Sequence, residues 1–245
     1  MKCRHCNNIL KNILIDLGKC PPSNSYLSTK KSCTNEKNFP LKVYVCNFCW
    51  LVQTEDIINK TELFTKDYAY FSSYSKTWLK HVSDYTNHII SRLELTEKSL
   101  VVEIASNDGC LLDNFKKRNI PCFGIEPTES SVKVAISKDL KVYQEFFSSK
   151  FAMYLSKRGE LADLIIANNV LAHVPDINDF LRGFIFILKN TGTVTFEFPH
   201  LIKMIELMQF DTIYHEHFSY LSLSTCHLIF NVNGLEIYDV DEIST

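Results

Sequence analysis

Four polar side chains stand next to one another in the run Tyr214-His-Glu-His217. Alternate side chains on a strand or an irregular loop share a face, so we expect Tyr214 to pair with Glu216 and His215 to pair with His217. A histidine near its intrinsic pKa accepts a proton at neutral pH, which makes the run a candidate general base. Two histidines in a loop are otherwise an ordinary polar surface, and the run by itself leaves both interpretations open.

Two C-x-x-C pairs, Cys3/Cys6 and Cys46/Cys49, use four of the nine cysteines. Four thiolates are enough for a closed tetrahedral zinc site, which would be structural because no coordination position stays open. A redox-active C-x-x-C is the alternative, but neither pair opens a helix after a strand as a thioredoxin-type motif does. The odd number of cysteines argues against a disulfide framework. The sequence therefore predicts a structural zinc ion held by these four residues.

A third group of candidate residues follows an apolar run and reads Glu103-Ile-Ala-Ser-Asn-Asp-Gly109. This loop enters a helical pattern, so backbone N–H groups can approach a ligand, and Gly109 permits a tight turn. The next strand ends in Gly124-Ile-Glu126, where an acid can accept hydrogen bonds from both hydroxyls of a ribose.

A dinucleotide would need the pattern G-x-G-x-x-G after the first strand, and this loop has a single glycine. S-adenosylmethionine (SAM) contains a ribose but no phosphate, and it therefore fits the loop better. Taken one at a time, these features could equally be a polar turn and a solvated strand end. Together on one β-α-β unit, they predict a SAM site.

Short β-rich runs alternate with helical patterns along residues 99–245. We predict strands at 100–105, 122–126, 141–145, 163–168, 193–198 and 235–240, with helices between them and Gly192 as a helix-stop signal. Repeated β-α-β units with near-continuous apolar strands indicate an α/β fold with a parallel sheet covered on both faces. Ligands of such sheets bind at the carboxyl ends of the strands, where the third group of candidates lies.

The chain upstream of residue 99 differs in character. The first 60 residues carry the cysteine pairs and loop signals such as PPSNS at 21–25, so we expect irregular structure there. Between Trp78 and Leu93, apolar residues recur at helical spacing. We therefore divide the chain into a zinc-binding domain at 1–60, a helical connector at 61–98 and a SAM-binding domain at 99–245.

Bulk composition excludes several classes of protein. Hydrophobic residues make up 46% of the 245 residues and charged residues 22%, as in ordinary globular proteins. The net charge of −2 predicts no strong attraction to nucleic acid or to an anionic membrane. No apolar run reaches the roughly 18 residues that a membrane span needs, and the N-terminus lacks the features of a secretory signal. We therefore expect a cytoplasmic protein without a membrane or nucleic-acid partner.

One family shares the longest of these motifs. Phe198-Pro-His-Leu and Gln209-Phe-Asp-Thr-Ile-Tyr-His-Glu-His-Phe-Ser-Tyr-Leu-Ser222 resemble the signature of SAM-dependent sugar C-methyltransferases. Segments 39–43, 46–53, 67–73, 103–109, 124–127 and 168–176 are also similar to that family, in the same order. The resemblance implies a class I methyltransferase Rossmann-like sheet with a small N-terminal zinc-binding domain. It also implies a nucleotide-linked 4-keto-deoxysugar as substrate, with dTDP as the expected nucleotide.

The resemblance also implies roles for individual residues. His217 would remove the proton from the carbon next to the keto group, because a C–H bond is no nucleophile until it is deprotonated. Tyr214 and Glu216 would line the same pocket, His173 would help to hold the substrate or its enolate, and Tyr68 would reach over the site. The residues expected to bind SAM are Glu103, Ala105, Ser106, Asn107, Gly109, Glu126, Asn168 and Asn169.

The sequence departs from the family pattern in two places. Ala105 stands where many SAM enzymes have glycine, and the sequence ends at Thr245 where family members continue into a glycine-rich strand and a C-terminal domain. The resemblance therefore predicts a sheet without its seventh strand, which a partner chain could supply. A truncated, non-catalytic relative that keeps SAM, zinc or partner binding is the alternative function. An O- or N-methyltransferase is disfavoured because its acceptor already has a lone pair.

Overall fold

The structure, a computed structural model, describes residues 1–27, 36–55, 57–58 and 71–243. The strands in chain order are β1 (Asn12–Cys20), β2 (Phe39–Val45), β3 (Val52–Thr54), β4 (Val101–Ile104), β5 (Cys122–Ile125), β6 (Val142–Tyr143), β7 (Ala162–Asn168), β8 (Leu188–Glu197) and β9 (Ser219–Tyr220). The helices are α1 (Lys76–Leu93), α2 (Leu112–Lys116), α3 (Glu129–Ser137), α4 (Ser149–Lys157), α5 (Ile177–Ile187), α6 (Leu201–Glu206) and α7 (Leu223–Val232).

The chain forms two compact units. Unit 1 contains Met1–Thr65, Asn169–Asn178 and Phe198–Glu236, and unit 2 contains Lys66–Asn168, Asp179–Glu197 and Ile237–Thr245. The chain therefore passes between the units several times. The division into domains at 1–60, 61–98 and 99–245 stays a prediction.

Unit 2 is built around a five-stranded parallel sheet with the order β6-β5-β4-β7-β8. All four residues of β4 are buried, as expected for a central strand with both faces covered. Val82 and Ile89 of α1 pack into the same core as Val101 and Leu164 of the sheet. The α/β class and the parallel sheet predicted from the sequence are confirmed. So is the helical stripe of the connector, in the form of α1.

Unit 1 contains an antiparallel sheet with the order β1-β2-β3-β9. The expectation of irregular structure in the first 60 residues is wrong for the described part, where three strands form. Val43 and Val52 of this sheet pack with Met204 and Tyr220 from far along the chain. The sheet could not be recognised from the first 60 residues, because β9, which pairs with β3, follows about 165 residues later in the chain.

The strand predicted at 235–240 does not form, and residues 235–243 are irregular. A strand needs a backbone ladder, and in the described part of the chain none pairs with this segment. Side chains hold it instead: the Tyr238 hydroxyl lies 3.0 Å from Thr193 Oγ1, and Arg92 pairs with Asp239 at 2.5 Å. The helix-stop role of Gly192 is also wrong, because α5 ends at Ile187 and β8 runs through Gly192.

Among the described residues, no helix is both long enough and apolar enough to cross a bilayer.

Candidate functional site

Glu103 lies in β4 and is buried at 7% exposure. Burial raises the pKa of its carboxyl well above the usual value, and the negative charges of Glu126 and Asp108 raise it further. Its Oε2 atom has no hydrogen-bond partner in the described part of the chain. A buried carboxyl of this kind is costly unless a ligand supplies a donor or a positive charge.

Glu126 follows β5, the neighbour of β4 in the sheet. One carboxylate oxygen accepts the Asn107 N–H at 3.0 Å, and the other accepts the Thr128 N–H at 2.9 Å. Burial raises the pKa of Glu126 above its usual value. This acid therefore ties the loop after β4 to the end of β5, as well as being a candidate for ribose hydroxyls.

Three residues of the loop after β4 have left-handed backbone conformations: Ala105 at φ 56°, Asn107 at φ 49° and Gly109 at φ 73°. A Cβ atom added at Gly109 would crowd Leu140 Cδ1 at 2.4 Å and Ala135 Cβ at 3.3 Å, in addition to straining the left-handed turn. Ala105 adopts the same region without being glycine, which costs about 1 kcal/mol. The departure seen in the sequence is thus a local strain at the edge of the candidate site.

Asp108 was not selected from the sequence, where it reads as part of a polar turn. Its side chain is completely buried, and Lys138 Nζ lies 3.5 Å from its Oδ2. Lys138 also donates to the Asp108 carbonyl at 2.7 Å. Neither carboxylate oxygen makes a hydrogen bond within the described residues. Only the fold shows that this side chain turns inward.

The remaining residues expected at the cofactor site are spread over two strand ends. Ser106 is buried beside Gly124, where a Cβ would come within 2.2 Å of the Ser106 Oγ. Asn168 ends β7, the other neighbour of β4, and its Nδ2 is buried without a partner among the described residues. Asn169 follows with φ 52°. Carboxylates and an amide with unfilled hydrogen-bonding positions thus lie at adjacent strand ends. They fit SAM, which offers an ammonium group and two ribose hydroxyls.

In unit 1, His217 is fixed through both ring nitrogens. Its Nδ1 lies 2.7 Å from the Thr212 carbonyl oxygen, which can only accept, so Nδ1 carries the hydrogen. Nε2 then holds the lone pair and accepts from the Tyr214 hydroxyl at 2.8 Å. Burial lowers the pKa of His217 to about 4. The imidazole is therefore neutral at pH 7, in the tautomer that a general base at Nε2 needs.

His173 lies beside His217, with 4.6 Å between the ring centres. Its Nδ1–H donates to the Glu216 carbonyl at 2.9 Å. Burial, and next the positive charge that His217 would carry, lower the pKa of His173 to about 3. The structure thus brings together His173, Tyr214 and His217, three of the residues expected in the catalytic set.

The pairing expected within the run 214–217 is wrong. The His217 N–H donates to the Tyr214 carbonyl at 3.0 Å, so the run is a turn in which the first and fourth side chains meet. Glu216 points to Asn24, whose Nδ2 lies 2.8 Å from each carboxylate oxygen. His215 is directed to the Pro40 carbonyl at 3.2 Å. Alternation would have required an extended segment.

Two further polar groups near His217 were not selected from the sequence. Ser219 and Tyr220 line a small pocket with His217, and their hydroxyl groups are buried without hydrogen-bond partners among the described residues. Burial raises the pKa of the Tyr220 phenol above its usual value. The sequence offered only their closeness to the histidines as a signal. Tyr68, the remaining residue expected in the catalytic set, lies outside the described residues.

The two cysteine pairs meet in unit 1. The Sγ atoms of Cys3, Cys6, Cys46 and Cys49 all lie within 4.8 Å of one another. Cys3 and Cys49 are 3.5 Å apart, as are Cys6 and Cys46. The hydrogen bond from Cys49 and, more weakly, the Cys6 backbone lower the pKa of Cys3 below its usual value although burial opposes this. Such a cluster fits a tetrahedral zinc ion, which binds thiolates.

The two cysteine turns have the same backbone geometry. The residue after each second cysteine is left-handed, Asn7 at φ 62° and Trp50 at φ 61°. In each turn, the N–H of that residue donates to the carbonyl of the first cysteine at 3.0 Å. We call residues 3–7 the first knuckle and residues 46–50 the second knuckle. Two equivalent knuckles that present four sulfur atoms to one point match a structural zinc site and not a redox pair.

Comparison with protein families agrees with this geometry. A family model described as "Putative zinc binding domain" matches residues 3–64, and one described as "Methyltransferase domain" matches residues 78–240. The parallel sheet of unit 2, with acidic and amide side chains at the ends of its central strands, is typical of class I SAM-dependent methyltransferases. The chain belongs to the methyltransferase-domain family, with an N-terminal zinc-binding region that holds the four cysteines.

Individual relatives extend the comparison. The chain is 31% identical to C-methyltransferase NovU from Streptomyces niveus over 239 residues, which are 98% of this chain and 57% of that protein. The chain thus spans somewhat more than half the length of this curated relative.

Solved structures share the fold at lower identity. A chain in the complex of the Haloferax volcanii Trm112 methyltransferase activator with a methyltransferase gives a TM-score of 0.53 at 17% identity, over 69% of this chain and 77% of that one. The plantazolicin methyltransferase BpumL gives 0.50 at 13% identity, over 63% of this chain and 62% of that one.

Proposed function

We propose that this chain carries out SAM-dependent C-methylation of a nucleotide-linked 4-keto-deoxysugar, in particular a dTDP-linked one. The observation that carries the proposal is the state of His217: a half-buried, neutral imidazole with Nδ1–H bound to Thr212 and its lone pair directed at Tyr214. A C–H bond next to a carbonyl must lose its proton before the carbon can attack a methyl group, whereas an oxygen or nitrogen acceptor already has a lone pair. The name of the relative NovU, a C-methyltransferase, supports the same class of reaction.

In the proposed mechanism, His217 Nε2 takes the proton from the carbon next to the keto group. Tyr214 must first turn its hydroxyl away from Nε2, where it donates at 2.8 Å. The freed O–H can then donate to the enolate oxygen that forms. His173 keeps its single N–H on the Glu216 carbonyl, so its Nε2 can accept a hydrogen bond from a hydroxyl of the substrate.

The low pKa of His217 explains how proton transfer would be coupled to substrate. Burial without a counter-charge destabilises the imidazolium and makes the free side chain a weak base. A developing enolate next to the ring supplies the missing negative charge. The basicity of Nε2 would therefore rise only when the keto sugar is in place. Without the sugar, the His217 ring would not take up a proton from water.

SAM, when bound, supplies an electrophilic methyl group to the carbanion. Glu103, Glu126 and Asn168 are the side chains that we propose hold it, together with backbone groups of residues 105–109. Asp108 belongs to this proposed set because its buried carboxylate lacks a hydrogen-bond partner within the described residues. Zinc at the cysteine knuckles would take no direct part in the chemical step, because four thiolates complete its coordination.

The test separates proton removal from methyl transfer. A dTDP-4-keto-6-deoxysugar is incubated with the protein in D2O, with S-adenosylhomocysteine present, and loss of the proton signal next to the carbonyl is followed by NMR. Methyl transfer is then measured with SAM. We expect the native chain to do both and His217→Gln to lose at least about 100-fold in exchange. The exposed pair of His227 with Asn231 makes His227→Gln the matched control.

The outcomes discriminate between the two functions. Calorimetric binding of SAM with neither deuterium exchange nor methyl transfer would contradict the proposal and support a non-catalytic relative. Exchange that persists in His217→Gln would remove His217 from its role. Transfer of methyl groups to a hydroxyl or an amine of the sugar, without carbon exchange, would place the chain in another class of methyltransferase.

A further inference from the structure

Arg4 stands inside the first knuckle, between two cysteines of the metal cluster, yet its side chain leaves the knuckle. One terminal nitrogen of its guanidinium donates to the Pro175 carbonyl at 2.8 Å, and the other donates to the Thr54 carbonyl at 2.8 Å. The guanidinium also lies 5.3 Å from the centre of the Phe218 ring. A single side chain therefore connects three segments of unit 1 that are far apart in sequence.

Two of these segments carry the histidines of the candidate site. Pro175 comes two residues after His173, and Phe218 comes directly after His217. Backbone bonds join the segments to each other, because the Phe218 N–H donates to the Ala172 carbonyl at 2.8 Å. Arg4 thus holds the two histidine segments at the point where they meet.

The third segment completes the connection. Thr54 Oγ1 donates to the His217 carbonyl at 3.0 Å, and the Thr54 N–H donates to the Phe218 carbonyl at 3.1 Å. Gln53 bridges back to the knuckle: its Oε1 accepts the Arg4 N–H at 2.9 Å, and its Nε2 donates to Cys3 Sγ at 3.2 Å. The path from Cys3 Sγ to the backbone of His217 therefore consists of two hydrogen bonds and the peptide bond that joins Gln53 to Thr54.

A second connection runs from the neighbouring residue. His5 Nδ1 lies 2.8 Å from Asn178 Oδ1, and Asn178 Nδ2 donates to the His5 carbonyl at 2.8 Å. Asn233, after α7, donates to the same Asn178 oxygen at 3.0 Å. The first knuckle is thereby attached at two points to residues 169–178, through Arg4 and through His5. The backbone that carries the Arg4 side chain is therefore held in place.

We infer that Arg4 is a positioning residue that transmits the geometry of the cysteine knuckle to His173 and His217. A planar guanidinium donates in two fixed directions and can lie flat on an aromatic ring, which a lysine ammonium cannot do. The metal site of this chain would then set the placement of the proposed base in addition to stabilising the fold. The catalytic consequence depends on the proposed function, whereas the positioning itself does not.

The test compares Arg4→Gln and Arg4→Lys with Arg182→Gln, which removes a half-exposed arginine paired to Asp179. Zinc per chain is measured first, and we expect it to stay at one in all variants. Hydrogen exchange of the Phe218 amide is then expected to accelerate at least tenfold in Arg4→Gln and less in Arg4→Lys. NMR titration should show the His217 pKa moving from about 4 toward 6.5 as the segment opens to water.

Thr54→Val is a second variant that keeps the inference testable if Arg4→Gln unfolds. Valine keeps the volume of the buried side chain and removes only the Oγ1 donor to His217. It should shift the His217 titration in the same direction, with zinc and melting temperature retained. Methyl transfer in Arg4→Gln should fall through kcat more than through KM.

Three results would overturn the inference. The first is an Arg4→Gln chain with full zinc and unchanged Phe218 exchange and His217 titration. The second is loss of zinc in Arg4→Gln with histidine signals like those of a chain freed of metal by chelation, since Arg4 would then serve the metal site alone. The third is full recovery by Arg4→Lys. If the native chain transfers no methyl group, the proposed function fails, but the exchange and titration data still decide the role of Arg4.

Discussion

The Tyr214 hydroxyl donates to Nε2 of His217 at 2.8 Å, so the lone pair proposed to take the substrate proton is already engaged in the free chain. The turn at 214–217 creates this contact by placing the first and fourth side chains together. Tyr214 therefore has two states in the proposed reaction, one on His217 and one on the enolate oxygen. The second state is the one that stabilises charge.

Replacing Tyr214 with phenylalanine should slow deuterium exchange at the substrate carbon by about 10- to 100-fold, because the enolate loses a hydrogen-bond donor. The loss should be smaller than that in His217→Gln, which removes the base itself. Exchange is measured by NMR with S-adenosylhomocysteine bound. A faster rate in Tyr214→Phe than in the native chain would show that the tyrosine only blocks Nε2.

Replacing Glu103 with glutamine should weaken SAM binding at least tenfold. The raised pKa of this buried acid means that it holds a proton readily in the free chain. A bound ammonium group would favour the carboxylate, so SAM binding should release a proton. Calorimetry in two buffers of different ionisation enthalpy detects that proton. Glu97→Gln, at an exposed position, is the control and should bind SAM like the native chain; equal proton release in Glu103→Gln would contradict the assignment.

Removing the metal should unfold unit 1. Cys6→Ser leaves three thiolates in the cluster, and we expect less than stoichiometric zinc and a melting temperature lower by about 10 °C or more, because zinc-binding free energy contributes directly to folding in small domains. Zinc is measured by atomic absorption and unfolding by circular dichroism. Cys20→Ser, outside the cluster, should match the native chain in both respects. A native melting curve after complete chelation would contradict a structural metal.

Acid should destabilise the fold through the two half-buried histidines, His173 and His217. The pKa of His217 lies at about 4 and that of His173 at about 3, both below the 6.5 of an exposed histidine. Between pH 6.5 and the lower pKa of each folded histidine, the unfolded chain binds more protons than the folded chain. The histidines' contribution to the free energy of unfolding is therefore complete above pH 6.5 and is lost as the pH drops below that value. Each histidine contributes a slope of up to about 1.4 kcal/mol per pH unit.

Urea unfolding at a series of pH values measures this slope. His217→Gln should flatten it between pH 6.5 and 4, whereas His227→Gln should leave it unchanged. Glu103 contributes with the opposite sign, because its raised pKa favours the folded state at low pH and that contribution is lost as the pH rises. An identical slope in His217→Gln would show that the imidazole is not held neutral by burial.

Glycine at position 105 should stabilise the chain by roughly 0.5–1 kcal/mol. The left-handed backbone at Ala105, φ 56°, is strained for alanine and relaxed for glycine. Urea unfolding measures the change. Ala152→Gly, in the middle of α4, is the matched control and should lose stability, because glycine in a helix costs chain entropy. A loss at both positions would contradict strain at Ala105.

The sequence determined the features that depend on local periodicity and on residue type. Apolar runs and helical stripes between residues 76 and 198 fixed most strands and helices, because those patterns repeat with the period of the element. Four cysteines in two short pairs indicated a metal, since thiolate chemistry follows from the residue itself. The loop 103–109 and Glu126 were found for the same reason: their order along one β-α-β unit places them at one edge of a sheet.

Tertiary structure decided which distant groups meet. It showed that β9 completes a sheet begun by the first strands, that Glu216 bonds to Asn24, and that Arg4 reaches the segments of both histidines. It also removed the strand expected at 235–240, because a strand exists only where a ladder partner lies beside it. Contacts of this kind arise from chain closure over long separations, and no local pattern of residues encodes them.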